Sequence, residues 1–457
     1  MSCALENQVG SATVHSSTAG ATVNPCTLCA PLGAALVGAG IAGTVPLLHG
    51  GQGCATYIRR YVISHFREPM DVASSSFGEA QTVFGGEANL HLALDNIARQ
   101  YQPQLVTVAT TCVAETIGED VEALLRGYVA KRNPSMRVVS ASTPSFKDGH
   151  VEGFHAMVRQ VVEKFAEKRG PQTNAVSILP PILSPADLRH LKELAKAFDL
   201  TPILLPDYSE TLDGVILDHY RPLPSGGTRL EDIAEMPRAR ATLDLTLTGT
   251  APPARTILEN RGCPATVLGL PIGVRAADSL CDALAGLSGK EAPDWLQQER
   301  GRLLDAYADG HKYVFGKRVG VYGDPELVAG LARFLAEIGA RPVICATGAR
   351  NRALRPALAD LPEGAVEEIL EDTDFGRLEA ACKDRQLDLL MGNSKGYRMS
   401  RELQVPLIRV GFPIHDRVGA NRQLSVGYRG TMALLDLVIN ALLEKKQADS
   451  PIGFSYL

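Results

Sequence analysis

From Pro25 onward, short runs of β-branched and apolar residues alternate with longer stretches in which apolar residues return every three or four positions, the pattern of parallel βαβ units. Thr44–Leu48 and Leu105–Ala109 read as strands, and both end in loops carrying a cysteine. After the second strand, Ile117, Val121, Leu124 and Leu125 fall at helical spacing and predict one helix over 115–128. A second block opens with AVSILPP and continues through a helix over 185–197, for which Ser184 is the expected N-cap, to the strand PILLPD. ATLDLTLTG, a helix and ATVLGLPIG complete it. A charged helix over 294–313 leads into a third block. There KRVGVYG, a helix over 326–338 and RPVICATG form one βαβ unit, LDLLMGN and PLIRVGFP add strands, and an apolar helix over 432–443 closes the chain. Residues 1–25 are small, polar and aperiodic, and read as a tail. The expected organisation is thus a tail (1–25) and three α/β domains with parallel sheets, over 26–172, 173–312 and 313–457.

A chain of 457 residues exceeds what one core supports, which agrees with several domains. Its 45% hydrophobic and 21% charged residues are ordinary for a folded protein. A net charge of −5 and no run of Lys and Arg give no footprint for nucleic acid. The uncharged run Pro31–Leu48 approaches the length of a membrane span, but Gly33, Gly38, Gly40, Gly43 and Pro46 break it up, so it reads as a buried helix followed by a strand. The N-terminus has neither the basic start nor the apolar core of a secretory signal, so a cytoplasmic protein without membrane partners is expected.

Nine cysteines are an odd number for a disulfide framework. Three segments draw attention: Pro25-Cys26-Thr27-Leu28-Cys29, His49-Gly50-Gly51-Gln52-Gly53-Cys54 and Thr110-Thr111-Cys112-Val113-Ala114-Glu115. Each sets a cysteine in a turn. Iron–sulfur clusters are held by thiolates brought from separate loops, and glycines beside a ligand, here Gly50, Gly51 and Gly53, let backbone N–H groups approach the sulfides. Against this stands the bland alternative that each cysteine is a small buried hydrophobe. Cys26-x-x-Cys29 also has the form of a dithiol redox pair, but it precedes the first strand instead of following one. No second C-x-x-C at finger spacing and no H-E-x-x-H supports zinc. Cys3, Cys263, Cys281, Cys345 and Cys382 are expected to be structural, and His49 is either a proton donor or a satisfied structural histidine.

The run PLGAALVGAGIAGTVPLLHGGQGCATYIRRYVISHFREP, followed in order by SSSFGEAQTVFGG, TTCVAETIGED, STPSF, GNSKG and RVGFPIHDR, resembles the β subunit of nitrogenase component 1 and its relatives across nearly the whole chain. The resemblance implies three Rossmann-like domains, an α2β2 heterotetramer with a homologous α subunit, and an [8Fe-7S] P-cluster shared between the two subunits. It places the ligands of this chain on Cys29, Cys54 and Cys112, with Ser145 as a further ligand of the oxidised cluster. Gly53, Tyr57, Glu115 and Phe146 fall beside them, and Cys26 matches no ligand. It also implies that the catalytic iron–sulfur cofactor sits in the α subunit and that a separate ATP-dependent iron protein donates electrons. GLSGKEA lacks Walker A spacing, in keeping with ATP hydrolysis elsewhere.

Within that family the complete cysteine set separates the chain from cofactor-assembly scaffolds, although LPDYSETLDG resembles their style. The short tail is expected to set it apart from molybdenum nitrogenase β subunits. Iron-only and vanadium nitrogenases remain, along with the nitrogenase-like methylthio-alkane reductases, which the mixture of features resembles most.

Overall fold

A computed structural model describes residues 8–9, 12–15, 24–216, 218–219, 221–249, 253–350 and 352–453; Cys3 lies outside them. The strands are β1 (Gln8–Val9), β2 (Ala12–His15), β3 (Thr44–His49), β4 (Ala73–Ser74), β5 (Leu105–Thr110), β6 (Arg137–Ala141), β7 (Ala175–Leu179), β8 (Thr201–Leu204), β9 (Thr242–Asp244), β10 (Ala265–Val267), β11 (Arg318–Tyr322), β12 (Arg341–Ala346), β13 (Glu368–Leu370), β14 (Leu389–Gly392) and β15 (Leu407–Arg409). They form three sheets, ordered β4-β3-β5-β6, β10-β9-β7-β8 and β1-β2-β13-β12-β11-β14-β15. Every pairing is parallel except β1 with β2. Helices connect the parallel strands, as such pairings require.

Two expectations change here. The segment expected as an aperiodic tail contributes β1 and β2, and β2 pairs in parallel with β13 at the edge of the third sheet. The helix expected over 115–128 is two helices, Cys112–Thr116 and Val121–Arg132. Gly118 takes φ +75° between them, and the Asp120 side chain accepts Ala123 N–H at 2.9 Å to start the second. The Ser184 cap forms as expected, its hydroxyl accepting Asp187 N–H at 3.0 Å.

The Pro31–Leu48 run folds as read, into a helix Ala30–Ala39 buried from Ala30 to Gly38 and then β3, buried throughout. Its apolar character follows from being enclosed on all sides. Full burial of side chains such as Leu32, Leu36 and Val37 contributes roughly 1.5–3 kcal/mol each. This helix lies so close to the helix His150–Phe165 that a Cβ on Gly33 would overlap the His150 carbonyl, and one on Gly153 the Ala30 carbonyl. The contact holds the start of the first helix, and Cys29 before it, against the loop that follows β6.

Candidate functional site: three thiols at adjacent strand ends

β3, β5 and β6 are neighbours in the first sheet and point the same way, so the loops at their carboxyl ends share one edge. Open parallel sheets bind ligands at that edge. The loop after β3 leads into the helix Gln52–Phe66 with Cys54 in its first turn, β5 leads to Cys112 opening its short helix, and the loop after β6 carries Ser145. Cys29 arrives from the other side as the N-cap of the Ala30–Ala39 helix, and bridges to Gly149 just beyond Ser145.

The loops are tied to each other. Thr111 N–H donates to the His49 carbonyl at 3.0 Å, and Gly50, at φ +156°, comes so close to Thr111 that any Cβ would strike its side chain. Ser75 Oγ accepts Gly50 N–H at 2.9 Å. Thr143 Oγ1 donates to the Thr110 carbonyl at 2.6 Å, and Ala30 N–H donates to Ser145 Oγ at 3.1 Å. Glu115 accepts the Thr110 hydroxyl and, at 2.6 Å, that of Ser142. A carboxylate expected near the cluster therefore braces two of its loops, and Ser142 shares in that bracing.

The electrostatics link the thiols. Burial pushes the Cys29 thiol up, the Ser145 hydroxyl opposes this, and Cys112 pushes further upward. Burial also pushes Cys54 up, with Cys29 and Cys112 adding to it. Thiolates held this close repel one another even though each occupies a helix cap or first turn, where backbone N–H groups favour negative charge. A bound cation would offset that repulsion. Among the described residues no three His, Cys, Asp or Glu side chains close on a single ion. A multi-iron cluster asks for thiolates that stand apart, each on its own iron, so the donor set fits a cluster better than a mononuclear metal.

The thiols face outward. Cys54 and Gly53 are exposed, Cys29 and Cys112 half-buried, and apolar Val113 and Phe146 are exposed beside them. Tyr57 is half-buried, its ring 4.7 Å from that of Tyr61, and burial, Tyr61 and Cys29 all raise its pKa. Cys26, by contrast, is buried in the core of the third sheet with Tyr322 and Val343, and Cys263, Cys281, Cys345 and Cys382 are buried too. His49 is a satisfied structural histidine: it is fully buried, with Nε2 2.6 Å from Glu119 Oε2 and Nδ1 3.1 Å from Ser75 Oγ.

Two residues enter that sequence reasoning did not single out. Lys395 of GNSKG donates to the Pro25 carbonyl at 2.6 Å; burial pulls its pKa down, while nearby Cys26 and Cys29 push it back up. His65 of HFREP accepts Ile414 N–H at 2.8 Å, and burial holds its pKa down to about 3, so a neutral ring pins the GFPIHDR loop of the third sheet to the Gln52–Phe66 helix. Their only signal in the sequence was membership of glycine-rich or polar segments at strand and helix ends.

Three α/β sheets, one of them with thiols gathered at its edge, are the frame for comparison with known proteins. The model of the family described as Nitrogenase component 1 type Oxidoreductase matches residues 29–443, and the chain belongs to that family. Its members are oxidoreductase subunits, and so is this chain. It is 35% identical over 432 residues to the nitrogenase molybdenum-iron protein beta chain of Clostridium pasteurianum, covering 93% of each chain, and 37% identical over 451 residues to that of Klebsiella pneumoniae, covering 94% of this chain and 86% of the other. Its fold superimposes on the solved structure titled Nitrogenase Cp1 at pH 6.5 with a TM-score of 0.91, at 33% identity and over 97% of this chain and 98% of that one. Among the described residues no helix is long and apolar enough to cross a membrane.

Proposed function

We propose that the chain is the β-type subunit of a nitrogenase-like reductase, holding half of an [8Fe-7S] P-cluster at its interface with a homologous α subunit in an α2β2 heterotetramer. The observation that carries this is the meeting of Cys29, Cys54 and Cys112 on one outward edge, flanked by exposed apolar residues that suit a partner's surface. In this reading Cys29, Cys54 and Cys112 supply thiolates and Ser145 a hydroxyl that serves as ligand on oxidation. Gly53 leaves backbone room at the exposed edge, while Tyr57 and Glu115 hold their surroundings in place. When bound, the cluster supplies one-electron storage and transfer. The chain's own work is to orient the thiolates through tied loops, to keep water from their inner side with the apolar Ala30–Ala39 helix, and to stabilise negative charge with helix-terminal N–H groups.

A catalytic iron–sulfur cofactor in the α subunit, with electrons arriving from an ATP-dependent iron protein, belongs to this proposal and rests on the likeness to nitrogenase molybdenum-iron beta chains. The domain division at 26–172, 173–312 and 313–457 and a cytoplasmic location belong to the same proposal.

For the substrate we propose an organic thioether of the methylthio-alkane class, on the scaffold-like LPDYSETLDG combined with a full thiol set. A second reading, dinitrogen reduction by a molybdenum-iron, vanadium or iron-only enzyme, is favoured by the names of the relatives matched over 93% of their length. An assembly scaffold is the third. The complex reconstituted with iron protein, ATP and a strong reductant separates them. Thiol and hydrocarbon release is the expected result, ammonia without thiol moves the chain to the nitrogenases proper, and neither product from a loaded complex makes it a scaffold.

A further inference from the structure

We propose that a cleft between the first and second sheets, lined by none of the three thiols, is a binding site for a small oxyanion, inorganic phosphate or a small carboxylate, held by Arg159 and His155. The cleft lies where the carboxyl ends of β6, β7 and β9 face the helix His150–Phe165, the side of parallel sheets on which ligands bind. Its volume is about 220 Å³, below the roughly 300–1,000 Å³ of pockets for drug-sized ligands, which sizes it for a small molecule.

Two side chains on the same helix face, one turn apart, line it. Arg159 Nε is buried and has no hydrogen-bond partner among the described residues. A guanidinium is always charged, and leaving one of its donors desolvated and unpaired is costly unless a ligand supplies the acceptor. The one carboxylate among the described lining residues, Asp244, is already engaged: Oδ2 accepts from Arg255 Nη1 at 2.7 Å and Oδ1 from Thr246 N–H at 3.1 Å. Arg159 Nε takes no acceptor from it. His155 stands beside Arg159; burial lowers its pKa, with Asp244 and Asp324 acting the other way, so its ring offers a neutral N–H. A charged fork and a neutral ring donor in a small cleft match the acceptor-rich surface of an oxyanion, which two of the guanidinium N–H groups can grip together.

The test uses the assembled complex, dialysed free of phosphate and carboxylates, and titrated calorimetrically with inorganic phosphate and, separately, citrate. Saturable binding of one of them is expected, and the arm that binds more tightly identifies the class. Arg159→Gln is expected to weaken it about tenfold or more, since charge-assisted hydrogen bonds are the strong ones. The control Arg126→Gln, at an exposed arginine paired with Glu122 at 2.9 Å, is expected to change nothing. If Arg159→Gln does not fold, His155→Gln takes its place with an expected weakening of several-fold. Absence of saturable binding in both arms, or equal affinity in wild type and the folded variants, overturns the site and leaves a water-filled cleft.

Discussion

Cys54 and Cys345 differ in little but position. Cys54 stands exposed in a helix's first turn at a strand end, whereas Cys345 is fully buried within β12, its thiol pushed up to about 12 by burial. Cys54→Ala and Cys112→Ala are therefore expected to strip or rearrange the cluster and to abolish electron delivery. Cys345→Ala and Cys382→Ala are expected to retain iron and lose only packing, about 1 kcal/mol each. Iron analysis and urea melts of the four variants check this, and equal loss of iron from all four is the contrary result. At Ser145 the hydroxyl is a useful ligand only when deprotonated, which higher iron charge promotes. Ser145→Ala is expected to shift the midpoint potential in a redox titration followed by electron paramagnetic resonance while leaving most of the iron; an unchanged potential removes Ser145 from the ligand set. Ser142 is not an idle neighbour for comparison, because its hydroxyl is bonded to Glu115.

At the scale of elements, the crossing of the Ala30–Ala39 and His150–Phe165 helices positions Cys29, and it depends on Gly33. Gly33→Ala forces the helices apart and is expected to cost about 1–3 kcal/mol or more and to lower cluster loading, read together in melts and iron content. A different joint links the second and third sheets: Glu326, in the helix Pro325–Glu337, accepts the Thr248 hydroxyl at 2.6 Å while burial raises its pKa to about 7 from an ordinary 4.5. Because the folded value is the higher one, its contribution is complete below about 4.5 and is lost as pH rises through 7. Glu326→Gln is expected to flatten the fall in stability between those values by about 3 kcal/mol, taking 1.36 kcal/mol per pKa unit over the rise from 4.5 to about 7. Denaturant midpoints across that range check it, and parallel curves for wild type and variant contradict it.

The strands and the cysteine-bearing turns were legible because alternation and strand-end placement are local signals. β3 and β5 end within a residue of the expected positions, and the thiols gather because neighbouring parallel strands must end on one edge. The split at Gly118 was hidden by helical periodicity that runs on through the break. Strand β2 was hidden because four residues show no period and its partner β13 is remote in sequence. Lys395 and His65 were invisible as partners for the same reason, since their hydrogen bonds reach across 370 and 349 residues.

For the whole molecule, the proposed function has a second subunit complete the set of thiolates that this chain begins with Cys29, Cys54 and Cys112. Iron is therefore expected in the complex and largely absent from the chain purified alone. The most direct measurement is an anomalous difference map at the iron edge from crystals of the reduced complex. The expected result is one eight-iron cluster whose irons lie within bonding distance of the Sγ atoms of Cys29, Cys54 and Cys112, with its remaining ligands on the partner subunit. A map with no iron at these three thiols, or with a complete cluster held by this chain alone, contradicts the account.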